Sequence, residues 1–221
     1  MKLFAYGDSW TEGQGVNPTK EQLIDDRDER KYFRNSKSWP KVLSDLMGCH
    51  HQNQSLSGTN NNHIFNTIIN DIKSGLVNSG DLIIIMWSSS LRDNVPFFPL
   101  NEWHIWGINY IFCDAFDKMV DNVETQNDKS NLINKKSYWG FSQKTFRNFL
   151  INTNDSKVWE SPQYNILNVP GMHPSELGYK LIAEQIFEYI NQNKNDIIRY
   201  SGNKKIKIIF DKNYIQGNKK V

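Results

Sequence analysis

The chain has 221 residues, 23% of them charged, and a net charge of +2. That length suits one domain with a full core, and so small a net charge gives no strong field to draw the chain to nucleic acid or anionic lipid. No apolar stretch approaches the ~20 residues needed to span a bilayer.

The two cysteines, Cys49 and Cys113, stand at no metal-like spacing and make no disulfide framework. A reducing compartment, cytoplasmic by default, is the expectation. The opening residues pass straight into a strand and lack the charged and apolar regions of a leader.

Leu3 to Tyr6 read as a short buried strand that stops at Gly7-Asp8-Ser9-Trp10. Residues 17–37 are highly charged with little apolar pattern, so they predict a surface loop. Ser38 caps a helix with Pro40 in its first turn, an apolar face of Trp39, Val42, Leu43, Leu46 and Met47, and a stop at Gly48. Asn53 to Asn60 are polar and turn-rich. The next helix carries Ile64, Phe65, Ile68, Ile69 and Ile72 on one side. Asp81 to Trp87 form the clearest strand, and the unbroken apolar run predicts cover on both faces, as in a parallel sheet. It runs into Ser88-Ser89-Ser90-Leu91-Arg92-Asp93.

Residues 95–163 are rich in aromatics and predict one helix from about Trp103 to Val123 and a shorter one around Gln143 to Leu150. They read as a divergent insert or lid, either core-packed or a wall against which sugar faces stack. Ile166 to Val169 suggest a short strand. From Ser175 a long helix shows Leu177, Leu181, Ile182, Ile186 and Ile190 at helical spacing. Ile206 to Phe210 suggest a late strand, and residues 201–221 a basic, solvated strand and tail. There is no internal repeat, and residues 1–200 read as one domain.

Strands alternating with helices predict an α/β fold with a mainly parallel sheet. The turns after the strands then gather on one edge, where such sheets bind ligands. Ser9, Gly58 and Ser88 to Ser90 lie in those turns. A serine hydroxyl needs a base, usually a histidine, to act as a nucleophile. Of five histidines, His173 is the best placed, in the loop Gly171-Met172-His173-Pro174-Ser175 before the long helix. The histidines show no paired metal-ligand spacing and no phosphate-binding glycine motif is complete, so no metal or cofactor is expected.

These segments together resemble the SGNH (GDSL) hydrolases. Gly7-Asp8-Ser9 is similar to that family's first block, and Asn53 to Gly58, reading Asn-x-x-x-Ser-Gly, to its second. Asp81 to Ser90 resembles the third, and His173-Pro174-Ser175 with Gly178 and the helix behind it the fifth. The resemblance covers most of the chain except residues 95–163 and the end after 200. It implies a three-layer α/β/α sandwich of the flavodoxin-like kind. It implies acyl transfer by Ser9 with His173 as base, and an oxyanion hole that includes the backbone N–H groups of Ser9 and Gly58.

Two departures qualify it. The family carries an aspartate three residues before the histidine, where this chain has Pro170. The resemblance therefore supports a Ser–His dyad, unless a backbone carbonyl or a distant acid such as Asp8 or Asp93 orients the imidazole. The asparagine of the third block is replaced by serines, and Ser90, then Ser89, is the candidate third donor. Arg92 reads either as a surface arginine paired with an acid or as a contact for an anionic substrate group. Trp10, next to the nucleophile, is expected beneath or beside the pocket and is a further candidate substrate contact.

The favoured reading is a hydrolase of small-acyl esters, O-acetyl groups on a glycan among them. A glycan- or protein-binding module with a weak site and an O-acyltransferase are the alternatives. The partner expected is a small-molecule or glycan ester, with neither nucleic acid nor membrane.

Overall fold

The computed structural model describes residues 1–16, 20, 23–89, 107–116, 145–160 and 173–201. Its centre is a parallel sheet of β1 (Leu3–Tyr6), β2 (His51–Asn53), β3 (Leu82–Trp87) and β4 (Asn109–Asp114) in the order β2-β1-β3-β4. All three pairings are parallel, with Tyr6 beside Ile85 and Trp87 beside Asp114. Every residue of β1, β3 and β4 is buried.

Alternation along the strands splits the core into two layers. Leu3, Ala5, Leu82, Ile84, Met86, Ile111 and Cys113 face one side. There they meet Trp39 and Leu43 of α3 (Trp39–Met47), Phe146 and Leu150 of α5 (Phe146–Asn152), and Ile182, Ile186 and Ile190 of α6 (Glu176–Gln192). Phe4, Tyr6, Ile83, Ile85, Trp87, Tyr110 and Phe112 face the other side, against Ile64, Ile68 and Ile72 of α4 (Asn61–Lys73). Helices on both faces of a parallel sheet make the three-layer α/β architecture that the strand–helix alternation predicts.

The elements start and stop on local chemistry. Pro40 sits in the first turn of α3, and Gly48 closes the helix in the left-handed region at φ 62°. Ser38 is the N-cap of α3, as expected, but its hydroxyl donates to the carbonyl of Asn35 and makes no capping hydrogen bond. Asn60 caps α4 by accepting from His63 N. Ser175 caps α6 by accepting from Gly178 N. A single turn, α7 (Lys194–Ile197), follows.

Two expectations are overturned. Residues 109–114 are a strand, where the spacing of Trp103, Trp106 and Tyr110 predicts a helix. A strand buried on both faces has no alternating pattern, so its aromatics are easily counted at helical spacing. That stretch therefore supplies core, and residues 145–160 add α5 to it. Residues 27–35, read as loop, form helix α2 (Arg27–Asn35). None of its residues is fully buried, and the partly buried Phe33 alone is too little to read as an apolar stripe. Its ends also support it: Asp26 accepts from Glu29 N, Asp28 and Glu29 lie in the first turn, and Arg34 in the last.

The remaining expectations for 95–106 and 117–144, and those for Ile166 to Val169 and Ile206 to Phe210, fall outside the described residues. Both cysteines are free, and burial pushes each thiol's pKa up. No helix among the described residues is long and apolar enough to cross a membrane.

Candidate active site

Ser9 opens α1 (Ser9–Glu12), a single turn directly after β1. The turn is tight because Gly7 lacks a side chain. A Cβ there would lie 2.0 Å from Thr11 Oγ1 and 2.9 Å from the carbonyl of Met86. Asp8 caps the turn, accepting from Trp10 N at 3.0 Å through Oδ1. Its Oδ2 accepts from the Ser88 hydroxyl at 2.7 Å. Ser88 N in turn donates to Asn61 Oδ1 at 3.0 Å. The buried Asp8 therefore ties the serine turn to the end of β3. Both of its oxygens are engaged there.

His173 reaches this turn from the far end of the chain. Its Nε2 lies 2.9 Å from Ser9 Oγ. Its Nδ1 lies 3.4 Å from Glu160 Oε1, long for a hydrogen bond but within ion-pair range of an imidazolium. The tautomer with hydrogen on Nδ1 satisfies both contacts: Nε2 accepts from the serine and Nδ1–H faces the carboxylate. Both side chains are largely covered, 13% and 17% exposed.

An antiparallel bridge between Trp159 and Pro174 puts these two residues together. Glu160 N donates to the carbonyl of His173 at 3.0 Å, and Ser175 N to that of Val158 at 2.8 Å. Glu160 Oε1 also accepts from His173 N at 3.2 Å. Gly15, at φ +93°, packs against the pair. A Cβ there would lie 2.7 Å from His173 Cβ and 3.0 Å from Glu160 Oε2.

Glu160 is the residue that the sequence does not reveal. It stands thirteen positions before His173, in no recognisable motif, at the end of an aromatic-rich stretch. The only local hint is a carboxylate just after the buried Val158-Trp159 pair.

The second loop lies beside the serine turn. Gln54 N donates to Ala5 O at 2.9 Å and Leu56 N to Gly7 O at 3.2 Å, extending the β1–β2 pairing past the strands. Asn53 supports it from below, donating to Thr11 O at 2.8 Å and accepting from Ser55 N at 3.2 Å. Gly58 is exposed at the tip with φ +79°, a left-handed conformation that favours glycine, and nothing stands within 4 Å of where its Cβ would be.

Trp10 is a correction to the substrate-contact expectation. It is fully buried, with Phe116 at 4.9 Å and Trp159 at 6.1 Å between ring centroids. Its ring is core beneath the turn and offers no surface to a ligand. Ser89 is half-buried just past β3. Ser90, Arg92, Asp93 and Pro170 lie outside the described residues.

A parallel sheet in this order, with a serine turn after β1 and a histidine before the last long helix, has the SGNH (GDSL) hydrolase fold. Solved structures of that class bear this out. A protein of the G-D-S-L lipolytic family from Desulfitobacterium hafniense superposes with a TM-score of 0.52 at 16% identity, over 85% of this chain and 98% of that one. A G-D-S-L lipolytic family member from Veillonella parvula gives 0.50 at 12% identity, over 87% and 99%. A carbohydrate esterase whose active site has divergent catalytic and non-catalytic binding functions gives 0.51 at 12% identity, over 87% and 69%. At such identities the likeness is one of fold. No protein-family model and no curated protein matches the chain.

Proposed function

We propose that the chain is a serine esterase that cleaves small-acyl esters, acetyl groups on a carbohydrate among them. The observation that carries this reading is the 2.9 Å contact between Ser9 Oγ and His173 Nε2, across 164 positions of sequence. A general base must be within hydrogen-bond reach of the proton it takes, and this one is.

In this mechanism Ser9 Oγ attacks the ester carbonyl carbon as His173 Nε2 takes its proton. The tetrahedral oxyanion is held by the backbone N–H groups of Ser9 and Gly58, with Ser90 as a third donor. His173 then protonates the leaving alkoxide, which departs as the alcohol. Water, deprotonated by the same imidazole, hydrolyses the acyl-serine and restores Ser9. Glu160 stabilises the imidazolium in both halves. It takes the role that the family gives to an aspartate three residues before the histidine, so the expected dyad becomes a Ser9–His173–Glu160 triad. The likeness to a carbohydrate esterase supports the glycan end of the substrate range.

The test is hydrolysis of p-nitrophenyl acetate together with labelling by a fluorophosphonate, which marks only an activated serine. Wild type hydrolyses the ester and takes up one probe at Ser9, and Ser9→Ala and His173→Ala lose both. A folded wild-type protein that takes no probe supports the binding-module alternative. Release of the acyl group to a sugar in preference to water would make it a transferase.

A further inference from the structure

The turn that carries Ser9 also carries a buried carboxylate with no part in the mechanism above. Glu12 is three residues on, and its side chain is only 5% exposed. Its Oε2 accepts from Ser57 N at 2.7 Å, a short, charge-assisted contact across 45 positions of sequence. Its Oε1 meets Arg34 Nη1 at 2.9 Å. Arg34 belongs to α2, the charged helix with no buried residue. The neighbouring Asn35 of α2 accepts from Asn53 Nδ2 at 3.0 Å. So α2, which touches the apolar core through the partly buried Phe33, also reaches both supports of the 53–58 loop.

A buried ion pair is weak evidence for stability, because desolvating the charges offsets their attraction. Its better-attested use is to fix one arrangement among several. Here the arrangement fixed is that of the peptide just before Gly58. Gly58 is exposed at the tip, and nothing stands within 4 Å of where its Cβ would be. The Ser57 Oγ is buried without a hydrogen-bond partner and does not anchor the peptide. Two hydrogen bonds bracket the Ser57–Gly58 peptide: a long turn bond from Thr59 N to Leu56 O at 3.3 Å, and the shorter one from Ser57 N to Glu12, which ties the peptide to the helical turn that begins at Ser9.

We propose that Glu12 is a positioning residue. From the turn that begins at Ser9, its carboxylate holds the Ser57–Gly58 peptide and so sets the spacing between the nucleophile and its oxyanion donor, while Arg34 holds the carboxylate. The inference rests on Gly58 serving the oxyanion hole. A donor displaced by a fraction of an ångström still binds substrate but stabilises the transition state less. The effect therefore falls on kcat, with KM little changed.

The experiment compares Glu12→Asp, Glu12→Gln and Arg34→Ala with wild type on p-nitrophenyl acetate, with kcat expressed per fluorophosphonate-labelled site. Asp is one methylene too short to reach both partners and loses about tenfold to hundredfold in kcat, with KM within about twofold. Gln keeps an acceptor for Ser57 N and recovers most of that loss. Arg34→Ala, at the edge of the site, loses severalfold and keeps the test available if the Glu12 variants fail to fold. A lowered Tm with kcat per labelled site within twofold of wild type, in Glu12→Asp or, if that variant is unfolded, in Arg34→Ala, makes the network purely structural and overturns the proposal. Absence of labelling in wild type, or activity retained by Ser9→Ala, instead overturns the esterase reading, and the two failures are told apart on the same plate.

Discussion

The serine turn takes its shape from residues within six positions of one another and is then tied to β3 through Asp8 and Ser88, whereas the histidine corner is assembled wholly from segments far apart in the chain. Gly7, Asp8 and Thr11 shape the turn through a close approach, a cap and one helical turn. The corner depends on two backbone hydrogen bonds between 158–160 and 173–175 and on the packing of Gly15 against His173. The difference teaches where each half is vulnerable. A change in the turn should disturb folding and activity together, because the turn is also the end of a core strand. A change in the corner should remove activity while leaving the sheet intact.

The largest expected effect sharpens that contrast. Glu160→Gln keeps the shape of the corner but loses the charge facing Nδ1, and kcat should fall by about 10²- to 10⁴-fold, the upper bound being the loss seen when a triad aspartate becomes an amide. The thermal midpoint should move little. Steady-state rates with circular dichroism melts check both, and kcat within twofold of wild type would leave a dyad of Ser9 and His173.

Gly15→Ala comes next. Its Cβ would stand 2.7 Å from His173 Cβ, and the residue sits at φ +93°. Displacing the imidazole by about 1 Å costs on the order of a hundredfold in rate. The fluorophosphonate labelling rate should fall in step with the hydrolysis rate. If activity and stability instead fell together, as for the turn, the two regions would not be separable.

Gly7→Ala tests the other side. Its Cβ would meet Thr11 Oγ1 at 2.0 Å and the Met86 carbonyl at 2.9 Å. Overpacking of this kind costs about 1–3 kcal/mol, and each kcal/mol lowers Tm by about 2–4 °C at this chain length. Melting curves should show the drop, and activity should fall at a temperature where the protein is still folded.

The smallest effect lies outside both regions, at the sheet edge. Burial, and then the Lys41 charge, lower the pKa of His51 below its ordinary 6.5. The unfolded chain then takes up the proton first, so the stability attached to neutral His51 is fully present above pH 6.5 and is lost as pH falls through that value. His51→Gln should flatten the fall in Tm between about pH 6.5 and 5, and an unchanged slope in differential scanning fluorimetry would assign it to other groups.

Much of the fold is legible because its signals are local. Leu82 to Trp87 is a short apolar run rich in isoleucine, the pattern of a strand covered on both faces. The stop at Gly48 and the serine before α6 are end signals read from single residues. The same logic misplaces residues 109–114, because burial on both faces erases the period that separates strand from helix. It also misses α2, because a charged helix that offers the core only the partly buried Phe33 shows no apolar stripe. Trp10 shows a third limit: adjacency to a candidate nucleophile says nothing about which way an indole turns, and the core beneath the turn accommodates it.

What the sequence determined by itself was the parallel α/β architecture and the residue types at each strand end, Gly7-Asp8-Ser9 above all. These follow from turn sterics and from the run of apolar residues that a doubly covered strand requires. Only the tertiary structure decided the distances and the partners: the imidazole 2.9 Å from the serine, Glu160 3.4 Å from its other ring nitrogen, and Glu12 reaching the second loop. Each of those contacts joins segments separated by 13 to 164 positions. A carboxylate's partner at such separation is fixed by how the layers pack and is not carried by any spacing along the chain.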